Sequence, residues 1–265
     1  MYECKNKPNY YKLEKMIYIV QYNETLVIHY DNNINCYRNR KNVHIFTDNT
    51  EDLHTLMIGG SLVLPRKVIE TIIIDPLLVN YKLTACYNLF AGFRNLKRII
   101  GLEYLNTSKV VDMKNMFILC LSLTSLNLRG FDTSKVTDMH GMFNGCYHLE
   151  SLDVSNFDTS NVTDMSCMFS SCEKLTSLNL SSFNTSKVIR MNEMFGSCKN
   201  LKTIYVGTGF NTNNLREEPR GMFRNCLNLV GGKGTKFDYR ADKTRAKIDG
   251  GKDNPGYFTY SYKKL

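Results

Sequence analysis

The stretch Phe157-Asp158-Thr159-Ser160-Asn161-Val162-Thr163-Asp164-Met165, continued by Met168-Phe169 and Cys172, decides the fold because it recurs along the chain. The Met-Phe dipeptide returns at spacings of 26, 26, 26 and 28 residues. Its five copies are Met116-Phe117, Met142-Phe143, Met168-Phe169, Met194-Phe195 and Met222-Phe223. A degenerate earlier copy begins at Leu89-Phe90. A fixed period of this length is the signature of stacked repeat units.

Further positions recur in phase with each Phe. A Cys stands three residues after it, and a Leu stands three residues after the Cys. The cysteines are Cys120, Cys146, Cys172, Cys198 and Cys226. Another Phe and a polar triplet follow, as in Phe157 with Asp158-Thr159-Ser160. The agreement of about nine positions predicts one structural unit repeated about five times after the degenerate copy.

Each unit is predicted to be a strand, a turn and a short helix. The pattern L-x-x-L-x-L ends in the alternation typical of a strand, and the Asp or Asn after it favours a turn. Apolar spacings of three and four in 162–172 predict a helix of about two turns, capped by Thr163 or Asp164. One unit cannot bury its apolar side alone, so the sequence predicts an α/β solenoid with a parallel sheet.

The cysteines admit two interpretations, metal or redox chemistry and core packing. Nine of the 12 Met and five of the 9 Cys occupy repeat positions. Metal sites usually need close pairs such as C-x-x-C, whereas these cysteines lie about one unit apart and no His recurs with them. The pattern therefore predicts small buried thiols, with no metal and no cofactor.

Composition and charge exclude several classes. With 43% hydrophobic and 22% charged residues among 265, the chain is expected to be folded and soluble, and it has no apolar run long enough for a membrane span. The net charge of +9 comes from 81–110, with five basic residues against one acidic, and from 231–265, with nine against four. Because the basic charge flanks a neutral middle, we expect no nucleic-acid partner.

The ends of the chain differ from the repeats. Apolar and polar residues alternate in Leu26–Tyr30 and in Val43–Phe46, which predicts two strands, and Asp31-Asn32-Asn33 between them favours a turn. The β-branched run Ile72–Ile74 is predicted to be the first buried strand, leading into the stacked units. The sequence predicts a β-rich N-terminal cap at 1–80, repeats at 81–230 and an irregular C-terminal cap at 231–265, with aromatic residues covering the solenoid's ends. No apolar signal-peptide core follows Met1. Two interpretations stay open: the protein is intracellular, or its leader is missing from this sequence.

The sequence predicts no enzyme. Its five His form no H-E-x-x-H pattern, and no G-x-S-x-G or P-loop occurs. The residues between the core positions of each predicted strand should form an open face of mostly small polar groups, either a weak multivalent contact surface or a merely solvated one. The candidate binding residues on this face are Asn127, Arg129, Asp153, Asn179 and Tyr205.

The block 157–165 with Met168-Phe169, Cys172 and Leu175 resembles the repeat of the BspA-like leucine-rich-repeat surface proteins of bacteria, which is related to a mycoplasma lipoprotein repeat. Val68–Asp75 is similar to the family's lead-in segment, and Pro255–Thr259 is similar to its closing segment. The last unit departs from the pattern, since Glu217-Glu218-Pro219-Arg220 replaces the usual Thr-Asp-Met.

The resemblance implies a surface-displayed or secreted leucine-rich-repeat solenoid that binds host matrix or cell-surface proteins and has no catalytic residues. The alternative is an intracellular or injected interaction scaffold or effector. The sequence leaves the ligand and the oligomeric state open.

Overall fold

The structure, a computed structural model, describes residues 16–31, 43–45, 66–240 and 243–261. Its strands are β1 (Met16–Tyr22), β2 (Thr25–Asp31), β3 (Val43–Ile45), β4 (Thr71–Ile74), β5 (Arg98–Ile100), β6 (Ser177–Leu180), β7 (Thr203–Val206) and β8 (Phe258–Tyr260). Short 3-10 helices span Pro76–Asn80, Leu102–Tyr104 and Lys243–Arg245. The architecture is therefore mixed, with parallel strand pairs and few helical segments.

The N-terminal sheet has the strand order β3-β1-β2-β4-β5. β1 and β2 form an antiparallel hairpin closed at Asn23, whose φ is 50°, while β2, β4 and β5 pair in parallel. Ile72 and Ile74 of β4 are buried, so the expectation of a first buried strand is confirmed.

The N-terminal strands pair in an order that the sequence did not predict. The neighbours of β1 are β2 and β3, so the strand at Leu26–Tyr30 pairs with β1 and not with the strand at Val43. A two-residue connection closes at little entropic cost and allows seven residue pairs in register. Asp31 ends β2, and Asn32 and Asn33 of the expected turn lie outside the described residues.

Stacked Phe rings run through the repeats. Neighbouring rings lie 5.4 to 6.0 Å apart between centroids, with interplanar angles of 3° to 17°. The series is Phe90, Phe117, Phe143, Phe169, Phe195 and Phe223, and all six rings are buried. Successive units thus lie directly on one another, in the order of the chain.

The predicted short helix is wrong. Residues 165–171 form a turn segment in which alternate N–H groups of Met165, Cys167, Phe169 and Ser171 donate to carbonyl oxygens of the next unit, at 2.7 to 3.0 Å. A helix would direct those N–H groups to carbonyls within the same segment, so both bonding patterns cannot coexist.

Left-handed backbone makes this turn segment possible. Cys167 has φ of 56° and Ser171 has φ of 60°, and equivalent pairs in the other units also have positive φ. These pairs are Asn115 with Leu119, Gly141 with Gly145, Glu193 with Ser197, and Gly221 with Asn225. Each such residue bends the chain so that apolar side chains three and four apart share one side without a helix.

The predicted strand forms in only some units. β6, β7 and β8 make a parallel three-stranded sheet, in which core residues such as Leu178 and Ile204 are buried. The segments 125–129 and 151–155 contain no strand. In the first of these segments Leu126 is only half-buried. Between the two segments the backbone still forms a hydrogen bond, from the Glu150 N–H to the Thr124 oxygen at 3.1 Å. The units from 105 to 176 are therefore joined mainly through their turn segments.

Four of the polar triplets contribute a buried Thr hydroxyl that bonds the next unit, namely those of Thr107, Thr133, Thr159 and Thr185. The Thr159 hydroxyl donates to the Asn184 oxygen at 3.0 Å and accepts from the Asn184 N–H at 2.8 Å. Thr185 makes the same pair of bonds with Asn211 of the following unit. These bonds satisfy polar groups at the core boundary, which explains why Thr recurs there.

Each repeat cysteine joins its unit to the preceding one. The Cys172 thiol donates to the Phe143 carbonyl oxygen at 3.2 Å, and the Cys198 thiol donates to that of Phe169 at 3.0 Å. Cys120, Cys146 and Cys226 make the equivalent bond. All five are buried free thiols, as the packing interpretation predicted.

Aromatic residues cover the C-terminal end of the Phe series, as expected. Tyr257 lies edge-on to Phe223 at 5.0 Å, and Phe258 contacts the same ring at 5.8 Å. The carboxylate of Asp249, which is 3% exposed, accepts hydrogen bonds from Lys233, Thr235, Gly251 and Gly256. Burial acts to raise the pKa of this carboxyl, but the bonds from Thr235, Gly251 and Lys233 outweigh it and hold the pKa well below its usual range.

We expect Phe169→Ala to lower the free energy of unfolding by about 3–5 kcal/mol, because its buried ring has a stacked neighbour on each side. Ser177→Ala, at an exposed position, should cost less than about 0.5 kcal/mol. Chemical denaturation of both variants measures the difference, and equal losses would show that the ring is not part of a core.

We expect the five repeat thiols to resist alkylation in the native protein, because the thiolate is the reactive form. Burial raises the pKa of Cys146 to about 12 and raises those of Cys172 and Cys198 well above their ordinary value. Half-exposed Cys167 should react faster than any of the five. Peptide mass spectrometry after alkylation, with and without denaturant and with Cys167→Ser as control, tests this. Rapid native labelling of Cys146 or Cys172 would contradict it.

Candidate binding face

The structure places all five candidate binding residues at the surface. Asn127, Arg129, Asp153, Asn179 and Tyr205 are each exposed. Parallel pairing of β6, β7 and β8 sets Asn179 beside Tyr205, and Tyr205 beside Thr259. Those three residues form one row across the sheet. Asn127, Arg129 and Asp153 belong to units without a strand, so sheet pairing does not join them to this row.

Three of the candidate side chains also shape the backbone. The Asn127 amide oxygen accepts from the Arg129 N–H at 3.4 Å, and Asn179 accepts from Ser181 at 3.1 Å. Asp153 accepts from Ser155 at 3.0 Å in the same way. Each is a local turn in which an Asn or Asp side chain bonds the backbone two residues ahead. The recurrence of Asn or Asp at this position is a signal of these turns as well as of a polar surface.

The far end of the expected open face is more closed than predicted. Gly207 is buried, and Thr203 and Ser181 are half-buried. A Cβ at Gly207 would collide with the carbonyl oxygen of Ser181, so the two units approach closely there. Tyr205, on the central strand of this sheet, therefore projects from a closely packed part of the face, with 37% of its surface exposed.

A second series of polar groups, which sequence analysis did not single out, lies beside the turn segments. Asp112, Asp138, Asp164 and Arg190 are neighbours in four successive units. Burial raises the pKa of Asp138, with the flanking carboxylates adding to the effect. Burial acts to raise the pKa of Asp164 as well. Hydrogen bonds from the Ser166 N–H and from the Arg190 guanidinium, whose Nε lies 2.6 Å from Asp164 Oδ2, outweigh burial, and the pKa of Asp164 is lowered. Arg190 thus ends the series by pairing with its last carboxylate.

A surface pocket of about 470 Å³ lies at the C-terminal end of the repeats. Phe223, Phe237 and Leu227 give it apolar walls, while Arg224 and Asp238 supply opposite charges. It is suited to an apolar side chain with a polar neighbour. The open face offers amide, carboxylate, guanidinium and phenol groups in rows, an arrangement suited to hydrogen bonding with an extended partner.

These features define a repeat protein whose units share a buried Phe-Cys core and present polar side chains outward. A family model described as "Mycoplasma protein of unknown function, DUF285" matches residues 84–208 and 120–237, which together span more than half of the chain. The chain belongs to this family. The resemblance to the mycoplasma repeat inferred from sequence is thereby confirmed.

One solved structure is similar, a leucine rich cell surface protein from Faecalibacterium prausnitzii. The sequence identity is 17% and the TM-score is 0.33, over 82% of this chain and 57% of that chain. The chain thus spans a little over half the length of that protein. No curated protein matches. In the part of the chain that the structure describes, no helix has both the length and the apolar character needed to cross a bilayer.

We expect Asn179→Ala to cost about 1 kcal/mol of stability, because it leaves the Ser181 N–H without its acceptor. From exposure alone the expected cost would be under about 0.5 kcal/mol. Ser177→Ala, two residues away on the same face, is the matched control. If thermal or chemical denaturation finds Asn179→Ala as mild as Ser177→Ala, the turn bond does not stabilise the fold.

Proposed function

We propose that the chain is a leucine-rich-repeat-type solenoid, with caps at 1–80 and 231–265 around repeats at 81–230, that recognises proteins at a bacterial surface. The stacked Phe rings and the unit-to-unit hydrogen bonds support the solenoid. In this arrangement the repeats are a rigid support for side chains and carry out no chemistry.

The in-register row of Asn179, Tyr205 and Thr259 is the observation that carries a binding role. Parallel strands lie about 4.8 Å apart, so side chains of the row meet neighbouring parts of one partner. Tyr combines a large apolar ring with a hydrogen-bonding group and is enriched at energetically important interface positions. Tyr205 is therefore the proposed anchor, with Arg129 as a secondary contact on an earlier unit.

The remaining candidates fit weak, repeated contacts. Asn127, Asp153 and Asn179 keep an exposed amide or carboxylate although one oxygen of each bonds the backbone. Several similar weak contacts gain strength when they act together on one partner. The family resemblance suggests extracellular matrix or cell-surface proteins as partners, and therefore a surface or secreted location.

We expect Tyr205→Ala to weaken binding to a matrix-protein partner by about 5–30-fold, the effect of losing about 1–2 kcal/mol at an interface. Tyr147→Ala is the matched control, because Tyr147 is 38% exposed, close to the 37% of Tyr205, and lies in a turn off the face. Biolayer interferometry against immobilised matrix proteins measures both affinities, and Arg129→Ala should weaken binding modestly.

Deleting residues 153–178 removes one 26-residue unit in phase, since Leu152 and Leu178 are equivalent. This variant should fold, as judged by circular dichroism, yet bind less tightly than the intact protein. If no matrix component binds and a cytosolic protein is captured specifically, the intracellular scaffold or effector replaces the adhesin. Equal losses for Tyr205→Ala and Tyr147→Ala would exclude the proposed row as the contact surface.

A further inference from the structure

Three side chains of types that bind metal ions converge where β2 and β4 end in the N-terminal sheet, outside the repeat units. β2 pairs in parallel with β4 so that Ile28 lies opposite Ile74, and the next residues along the two strands are His29 and Asp75. Asp31 is two residues after His29, so it projects to the same side of β2. Strand pairing therefore brings together residues that are 46 positions apart in sequence.

The spacing of the three groups is close to that of a metal's coordination shell. One nitrogen of His29 and one oxygen each of Asp31 and Asp75 all lie within 4.8 Å of one another. His29 Nδ1 and Asp75 Oδ2 are 3.4 Å apart. Tetrahedral Zn²⁺ with ligand bonds of about 2.0 Å separates its ligand atoms by about 3.3 Å. Side-chain movements of at most about 1.5 Å would complete such a geometry.

Neighbouring groups orient the three side chains. The buried Tyr18 donates its hydroxyl to Asp31 Oδ1 at 2.8 Å, and its ring stacks on His29 with centroids 4.8 Å apart. The Leu77 N–H donates to Asp75 Oδ1 at 2.8 Å, while Oδ2 is the oxygen that faces His29. Metal ligands are typically held by outer hydrogen bonds of this kind.

We propose that His29, Asp31 and Asp75 form a Zn²⁺ site with a fourth position for water. A mixed set of one imidazole and two carboxylates favours a first-row transition ion over Ca²⁺ or Mg²⁺, which prefer oxygen ligands alone. The side chains of His29 and Asp75 are 18% and 17% exposed, so an ion can enter while most of the site stays shielded. A bound ion would hold β2 and β4 together at the point where the N-terminal sheet meets the repeats.

The experiment is calorimetric titration of the full-length, reduced and chelator-treated protein with ZnCl₂. We expect one ion to bind per chain in the wild type, together with a rise in melting temperature. His29→Phe keeps an aromatic ring that can stack on Tyr18. Asp75→Asn keeps a side-chain oxygen that can accept from the Leu77 N–H. Each of these two variants should abolish Zn²⁺ binding. Tyr18→Phe removes only the outer hydroxyl and should weaken affinity by about 10–100-fold.

Two controls separate this site from adventitious binding. His148→Phe makes the same substitution in a repeat, where His148 contacts the Leu121 carbonyl, and should leave Zn²⁺ affinity unchanged. Co²⁺ substitution should give the electronic spectrum of nitrogen and oxygen ligands. An absence of Zn²⁺ binding, unchanged affinity in His29→Phe, or a sulfur-to-cobalt charge-transfer band would each overturn the proposal.

Discussion

The structure depends on a single spacing, the distance between equivalent Phe rings of neighbouring units. Rings 5.4 to 6.0 Å apart are in contact, and this separation is close to the distance between paired strands of about 4.8 Å. The backbone hydrogen bonds of the turn segments and the ring stacking can therefore be satisfied together. A unit of a different shape would lose one or the other, which accounts for the constancy of the 26-residue period over the central copies.

The cysteines follow from the same constraint. A thiol is small enough to pack beside a stacked Phe, and it can also donate to the Phe carbonyl of the preceding unit. The Phe169 oxygen, for example, accepts from the Cys172 N–H at 3.2 Å and from the Cys198 thiol at 3.0 Å. The spacing of these thiols is enough to predict that they are core residues. Their carbonyl partners are not predictable from sequence, because the partners depend on how far one unit is displaced along the next.

The errors of the sequence-based prediction share one physical origin. Apolar spacings of three and four arise from a helix, but also from a turn with left-handed residues such as Cys167 and Ser171. Single-sequence periodicity cannot separate the two, because the deciding interactions are hydrogen bonds to another unit. The same holds for His29 and Asp75, whose proximity depends on β2 lying beside β4. Local sequence patterns predicted the repeat, its core and most of the strands. They could not predict contacts between residues that come together only because of the order of strands in a sheet.

A stack of nearly identical units limits where binding specificity can reside. Asn127, Asp153 and Asn179 use an oxygen to hold the backbone, so replacing any of them risks the fold as well as the surface. Arg129 and Tyr205 are large, exposed and not part of those turn bonds through their side chains. Selection for a new partner can act on such positions at little cost to stability. Specificity in this architecture is therefore expected to concentrate in the few side chains that break the repeat pattern, and the repeated polar groups serve chiefly to keep that surface regular and hydrated.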